Sequence, residues 1–214
     1  MVAAAVRKQA QYSADYSKVN AMAIDSIGSR ITHIFSAMTP LSREEGDALV
    51  SSWTESRSLR RNDFLIRKGE VEDRLFYVIA GSMRIYYPHG DEQICVGFAH
   101  DENLICSYPS FILSEPSDYY IQALGKTEVI SIRRSDFYEL FDRFPKIERA
   151  WRQIGERALL GKIQREVEML TFTPEERYKR LILRSPHLFQ KIPRKYIASY
   201  LRMTPETLSR IRPA

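Results

Sequence analysis

The feature that most constrains this chain is a run of short apolar segments between Arg57 and Ile132, each closed by a turn signal. Phe64-Leu65-Ile66 is followed by Lys68-Gly69-Glu70, and Leu75-Phe76-Tyr77-Val78-Ile79 runs to Gly81. Met83-Arg84-Ile85-Tyr86-Tyr87 leads into His89-Gly90-Asp91, and Ile94 to Phe98, Tyr120 to Leu124 and Glu128 to Ile132 complete the series. Ile94, Val96 and Phe98 alternate strictly, which predicts a strand with one buried face. Gly81 and Gly90 stand where hairpins need positive φ, a conformation glycine adopts without a Cβ clash. Many short strands in close succession predict a β-sandwich or jelly roll, which protects its edges by folding double.

Helical spacing flanks this run. Ser42 is followed three residues later by Glu45, a capping-box spacing, and Leu49, Val50 and Trp53 give the helix an apolar stripe. Residues 1–36 show little periodicity and predict a loose or weakly helical extension. Beyond the strands, Ser135 or Asp136 is expected to cap a helix carrying Phe137, Leu140 and Phe141. Pro145 suits the first turn of another helix that continues to about Leu170. Ile147, Trp151, Ile154, Ala158 and Gly161 recur along it at heptad-like steps, and Leu159, Ile163, Val167 and Leu170 form a second line. Roughly 26 helical residues extend about 39 Å, more than a domain of this size covers unaided. One stripe is therefore expected to pack on the β domain and the other on the same helix of a second copy. A homodimer follows.

Net charge is +5 over 214 residues, but its distribution is uneven. Thr173 to Ala214 hold ten Lys/Arg and three Asp/Glu, a net +7, while the rest of the chain carries −2. A basic block on a slightly acidic chain suits one module that meets a polyanion. Within it Arg194 to Leu201 place Ile197, Ala198 and Leu201 on one face. Thr204 then caps a last helix with Pro205 at its first position, where the missing N–H costs nothing. Leu208 and Ile211 point inward. Two short helices separated by a tight turn match the helix-turn-helix plan, whose second helix enters the major groove of double-stranded DNA. Arg210 suits a bidentate pair with guanine, and Glu206 suits a cytosine amino group. Lys195, Thr204, Thr207, Ser209 and Arg212 complete the expected DNA-binding surface.

No stretch of about 18 apolar residues is present and no secretory signal is expected, so the chain reads as cytoplasmic with no membrane contact. The two cysteines, Cys95 and Cys106, lack the paired spacing of a zinc or iron–sulfur site, and no metal or cofactor is expected. Neither a nucleophile–base pairing nor a phosphate loop emerges, so no catalytic residue is assigned and the chain does not read as an enzyme.

The whole layout resembles the Crp–Fnr family of bacterial transcription regulators from about Pro40 to the end. The likeness rests on Phe64 to Glu70, Leu75 to Gly81, Ile197 to Leu201, and Thr204 to Arg212. It implies an α+β architecture: an N-terminal jelly roll of the cyclic-nucleotide-binding type with flanking helices (37–144), a long dimerisation helix (145–171), and an all-α helix-turn-helix domain (172–214). By similarity Glu206 and Arg210 match the family's base-reading positions, and Thr204 and Thr207 its phosphate-contacting ones. The short tail resembles compact members found in the Bacteroidetes, and no β-hairpin wing is expected after Arg212. RNA polymerase is a further partner the family implies.

Two further departures qualify the likeness. Cyclic-AMP-binding members carry a Gly-Glu pair and an Arg-Ser or Arg-Thr pair around the phosphate. Here the stretches read Leu104-Ile105-Cys106-Ser107-Tyr108-Pro109 and Ser117-Asp118-Tyr119-Tyr120, with no Lys or Arg from Asp101 to Ala123. A buried phosphate without a cation is disfavoured, so cyclic AMP is not expected to bind in the family's manner. Cys106, Tyr108, Phe111, Tyr119 and Tyr120 are either the lining of a pocket for an uncharged small-molecule effector or simply core. Finally, Arg202 stands where similar relatives place a turn glycine. The alternative to a DNA-binding regulator is a ligand-binding or protein-interaction module whose terminal helices no longer bind DNA.

Overall fold

The computed structural model describes residues 26–211. In chain order the elements are α1 (26–36), α2 (Arg43–Ser51), β1 (Glu55–Leu59), β2 (Phe64–Ile66), β3 (Arg74–Ala80), β4 (Ser82–His89) and β5 (Glu92–His100). There follow β6 (Leu104–Ile105), α3 (Tyr108–Leu113), β7 (Tyr120–Ala123), β8 (Thr127–Arg133), α4 (Arg134–Arg143) and α5 (Pro145–Thr171). The chain closes with α6 (Pro174–Arg184), α7 (Leu188–Lys191), α8 (Arg194–Tyr200) and α9 (Pro205–Arg210).

The strands form two four-stranded antiparallel sheets, ordered β1-β8-β3-β6 and β2-β7-β4-β5. Because side chains alternate across a strand, β3 serves two cores at once. Phe76 and Val78 face the other sheet with Ile66, Met83, Ile121 and Val129. Leu75 and Tyr77 face outward, onto a layer built by Phe35, Leu49, Phe137, Ile147 and Ala150. Burial on both faces explains why this segment reads as an unbroken apolar run. Gly81 turns β3 into β4 at φ 109, where an added Cβ would meet the Lys126 carbonyl at 2.6 Å.

Two expectations are corrected. Residues 26–36 are not loose: they are helical, and Ile31 and Phe35 are fully buried under α2 and α4. Ile27, Ile31, Ile34, Phe35 and Met38 form the helical stripe that the alanine-rich residues before them obscured. Residues 1–25, included in the same expectation, lie outside the described residues. Helix α4 begins ahead of the expected caps, with Arg133 at its N-cap and no side-chain cap bond. Ser135 bonds Asp136 instead, at 2.8 Å, both already inside the helix. Ser42 with Glu45, and Thr173 with Glu176, do form complete capping boxes.

The two stripes of α5 part company in space. Ile147 and Ala150 are in the core, with Trp151 and Ile154 packed against it. Leu159, Leu160, Ile163, Val167 and Leu170 are exposed, Leu170 to 77%. Beyond α5, Tyr178, Leu181, Ile192, Ile197, Ala198 and Leu208 form a separate small core, against which Phe98 and Leu124 of the β domain pack.

Candidate nucleic-acid interface and sensor cassette

The terminal module is assembled as its sequence suggests. Thr204 Oγ1 accepts the Thr207 N–H at 3.1 Å, and Pro205 occupies the first turn of α9. The turn between α8 and α9 is closed by the Met203 N–H donating to the Ala198 carbonyl at 3.0 Å. Arg202 takes φ 54 there, the left-handed conformation that a turn glycine adopts without strain. Ala198 and Leu208 are buried, whereas Lys195, Thr204, Glu206, Ser209 and Arg210 are exposed. Thr207 is half-buried, its hydroxyl 3.1 Å from that of Thr204. Arg212 lies outside the described residues. Glu206 is held below the usual carboxylate range, first by its own backbone N–H and then by Thr204, with Arg210 adding a smaller push. It therefore offers an ionised acceptor beside the Arg210 donor fork.

This module is docked on the β domain along β5. Ser199 Oγ accepts the Cys95 N–H at 3.0 Å and donates to the Gln93 carbonyl at 3.2 Å. Arg84, buried on β4, is sandwiched between Tyr86 and Tyr196, each ring centroid 4.2 Å from its guanidinium. Its nitrogens donate to Gln122 and Gln93. Lys191 pairs with Asp101 at 2.5 Å, and His187 meets His100 at 2.8 Å. The first turn of α9 borders a groove of about 550 Å³ facing Glu92 to Ile94.

The cassette has chemistry that the sequence did not disclose. Ser107 and Ser117 are both buried and hydrogen-bonded to each other at 2.7 Å. Beside them Glu72, only 4% exposed, accepts the Arg74 N–H at 3.2 Å, while its other carboxyl oxygen has no partner among the described residues. Burial pushes this acid up to about 7, with Asp73 adding a little, against backbone bonds from Arg74 and Ser107 that pull it down. The five proposed pocket residues do not converge. Phe111 is fully buried in the helical-side core and Cys106 packs against it. Tyr108 is half exposed near Trp151. Tyr119 and Tyr120 instead meet Tyr87 and Tyr86. Packing between aromatic rings satisfies each group locally. Glu72 and Arg84 are the residues that sequence reasoning missed, since a charge beside an apolar strand reads as solvated.

Among the described residues no helix is long and apolar enough to cross a membrane, and no cluster of three metal-ligating side chains occurs. Comparison with known proteins gives a consistent answer. The cyclic nucleotide-binding domain family matches residues 56–144. The transcriptional activator protein Anr of Pseudomonas protegens is 26% identical over 184 residues, 80% of this chain and 74% of Anr. FixK2 from Bradyrhizobium japonicum superposes with a TM-score of 0.64 at 19% identity, over 73% of this chain and 81% of FixK2. The catabolite activator protein of Thermus thermophilus gives 0.53 at 21% identity, over 81% and 83%. Two of these, Anr and the Thermus protein, are activator proteins by name. The chain thus joins a β domain matched by the cyclic nucleotide-binding domain family to a 27-residue helix and a helical C-terminal module, and it is similar over most of its length to the transcriptional activator Anr.

Proposed function

We propose that this chain is a transcription regulator of the Crp–Fnr type, a homodimer that binds double-stranded DNA in a sequence-specific way through α8 and α9, and that it does not respond to cyclic AMP. The observation that carries the reading is the division of α9 into a buried Leu208 and an exposed Glu206, Ser209 and Arg210. A helix so divided, capped by Thr204 and presented by α8, offers donors and an ionised acceptor to base edges. Lys195 and Thr204, exposed beside it, suit phosphate contacts that set register. The exposed apolar side of α5 supports the dimer, because a free stripe of leucine, isoleucine and valine is disfavoured in water.

The cassette supports insensitivity to cyclic AMP. Where a cyclic phosphate needs a cation, Ser107 and Ser117 bond each other and the buried Glu72 carboxyl adds negative charge. Calorimetry with cyclic AMP should give no heat of binding; measurable micromolar affinity overturns this part. Fluorescence anisotropy on promoter fragments should show binding that falls steeply with salt. Arg210→Ala should cost about 1–3 kcal/mol at the preferred base and relax preference there. Binding and preference both unchanged in that variant would remove α9 from the interface. Absence of salt-dependent binding altogether would leave a ligand- or protein-binding module.

A further inference from the structure

A recess of about 260 Å³ lies where α5, β5, α6 and α8 meet, and cations dominate its polar lining. Lys162 and Arg165 reach it from α5 and Arg184 from α6, against Val96 to Phe98 of β5 and Tyr200 of α8. Among the described residues Lys162 donates only to the Val96 carbonyl, at 3.2 Å. Although its side chain as a whole stays exposed, its ammonium is pulled below the usual lysine range by desolvation and then by Arg165. Arg165 donates to the Tyr200 carbonyl at 2.8 Å and lies over the Tyr200 ring at 4.4 Å, and its buried Nε has no partner among the described residues. Behind the recess lining Arg177, 8% exposed, has a buried Nε without a partner among the described residues, and its Nη1 donates to the Met169 sulfur at 3.7 Å. Burial and then Arg165 and Arg202 lower its affinity for the proton. Among the described residues the one carboxylate ion-paired within this group is Glu168, already held by Arg184 at 2.9 Å.

Gathering and desolvating like charges is unfavourable unless an opposite charge joins them. Buried guanidinium nitrogens left without an acceptor add to the positive potential that the recess faces. The volume is below the roughly 300–1,000 Å³ of drug-sized ligand pockets, which restricts the occupant to a small group. We propose that this recess binds a phosphate-type oxyanion, free or carried by a small phosphomonoester, with Lys162 and Arg165 as its ligands and Arg184 as the adjacent cation. The site draws on the sensor sheet, the long helix and the terminal module together. A bound anion therefore favours the docked arrangement of the three by its differential affinity for it. The inference does not depend on whether α9 binds DNA.

Calorimetry of the full chain tests this at fixed pH and ionic strength, titrating inorganic phosphate and glycerol 3-phosphate against a chloride baseline. Saturable binding is expected, and Lys162→Gln and Arg165→Gln should each weaken it about tenfold, as loss of one charged hydrogen bond implies. Arg152→Gln, on the exposed part of the same helix, should leave it unchanged. Equal affinity for the two probes identifies the free anion as sufficient, whereas tighter binding of glycerol 3-phosphate identifies a carried phosphate. No saturable binding overturns the proposal. So does binding that survives Lys162→Gln but is lost on Lys195→Gln, which would put the anion on the DNA-facing surface. Should Arg165→Gln fail to fold, Lys162→Gln decides alone.

Discussion

Replacing Glu72 by glutamine removes a charge from the cassette without changing its shape, and its effect on stability follows from the burial of that carboxyl. The acid has an ordinary value near 4.5 and is raised to about 7 in the folded chain, chiefly by desolvation. Between those two values the folded protein keeps a proton that the unfolded chain has released, so stability falls as pH rises through the window. Below about 4.5 the proton is held in both states, and above about 7 the full cost has been incurred. At 1.36 kcal/mol per pKa unit, the wild-type protein should lose about 2–3 kcal/mol between pH 5 and pH 8 from this group alone. Glu72→Gln lacks that slope, because its amide is neutral throughout. Urea unfolding at several pH values should give curves that diverge by this amount, the variant being the more stable at pH 8. Parallel profiles agreeing within about 0.5 kcal/mol from pH 5 to 8 would refute the reasoning, since the carboxyl would then be hydrated in the folded state. Should the variant also gain affinity for cyclic AMP, the carboxylate is part of what repels it.

Three other substitutions probe separate parts of the molecule. Arg202→Gly relieves the left-handed turn residue and should raise stability by about 0.5–1 kcal/mol in denaturant unfolding, the gain in the fold being partly offset by the freer unfolded chain. A loss of stability would show that the Arg202 side chain contributes more than its backbone strain costs. Ile163→Glu places a charge in the exposed stripe of α5 and should convert the dimer to monomer by sedimentation velocity, with DNA affinity falling alongside. Tyr196→Ala removes one face of the Arg84 sandwich, an interaction of about 1–2 kcal/mol when desolvated. Amide exchange in β5 and α8 should then quicken by about tenfold, and unchanged exchange would show that docking does not lean on this contact.

Local signals carried far where the deciding physics is local. Thr204 and Pro205 open α9 because a cap and a missing N–H act within one turn, and Arg202 adopts the left-handed turn its position demands. The alternation and glycine turns of the β run state the sandwich, and on α5 the line from Ile147 to Ile154 packs on the core while its continuation, Ala158 and Gly161, is exposed like the second line. Segments with mixed signals were harder. The stripe from Ile27 to Met38 was hidden by what precedes it, and the start of α4 is set by strand β8 running directly into it rather than by Ser135 or Asp136.

What the sequence determined by itself is thus the order of modules, the alternation of the strands, and the split of the terminal helix into buried and presented residues. Only the tertiary structure decided which groups from distant segments meet. The five aromatic and thiol positions of the expected pocket are close in sequence yet divide in space, because α3 carries Tyr108 and Phe111 to the helical-side core while β7 carries Tyr120 to Tyr86 on β4. Conversely, Glu72 with Ser107 and Ser117, Arg84 with Tyr196, and Lys162 with Arg165 and Arg184 are brought together by sheet closure and domain docking. Their electrostatics arise from desolvation, which is a property of the assembled surroundings and leaves no trace in the order of residues.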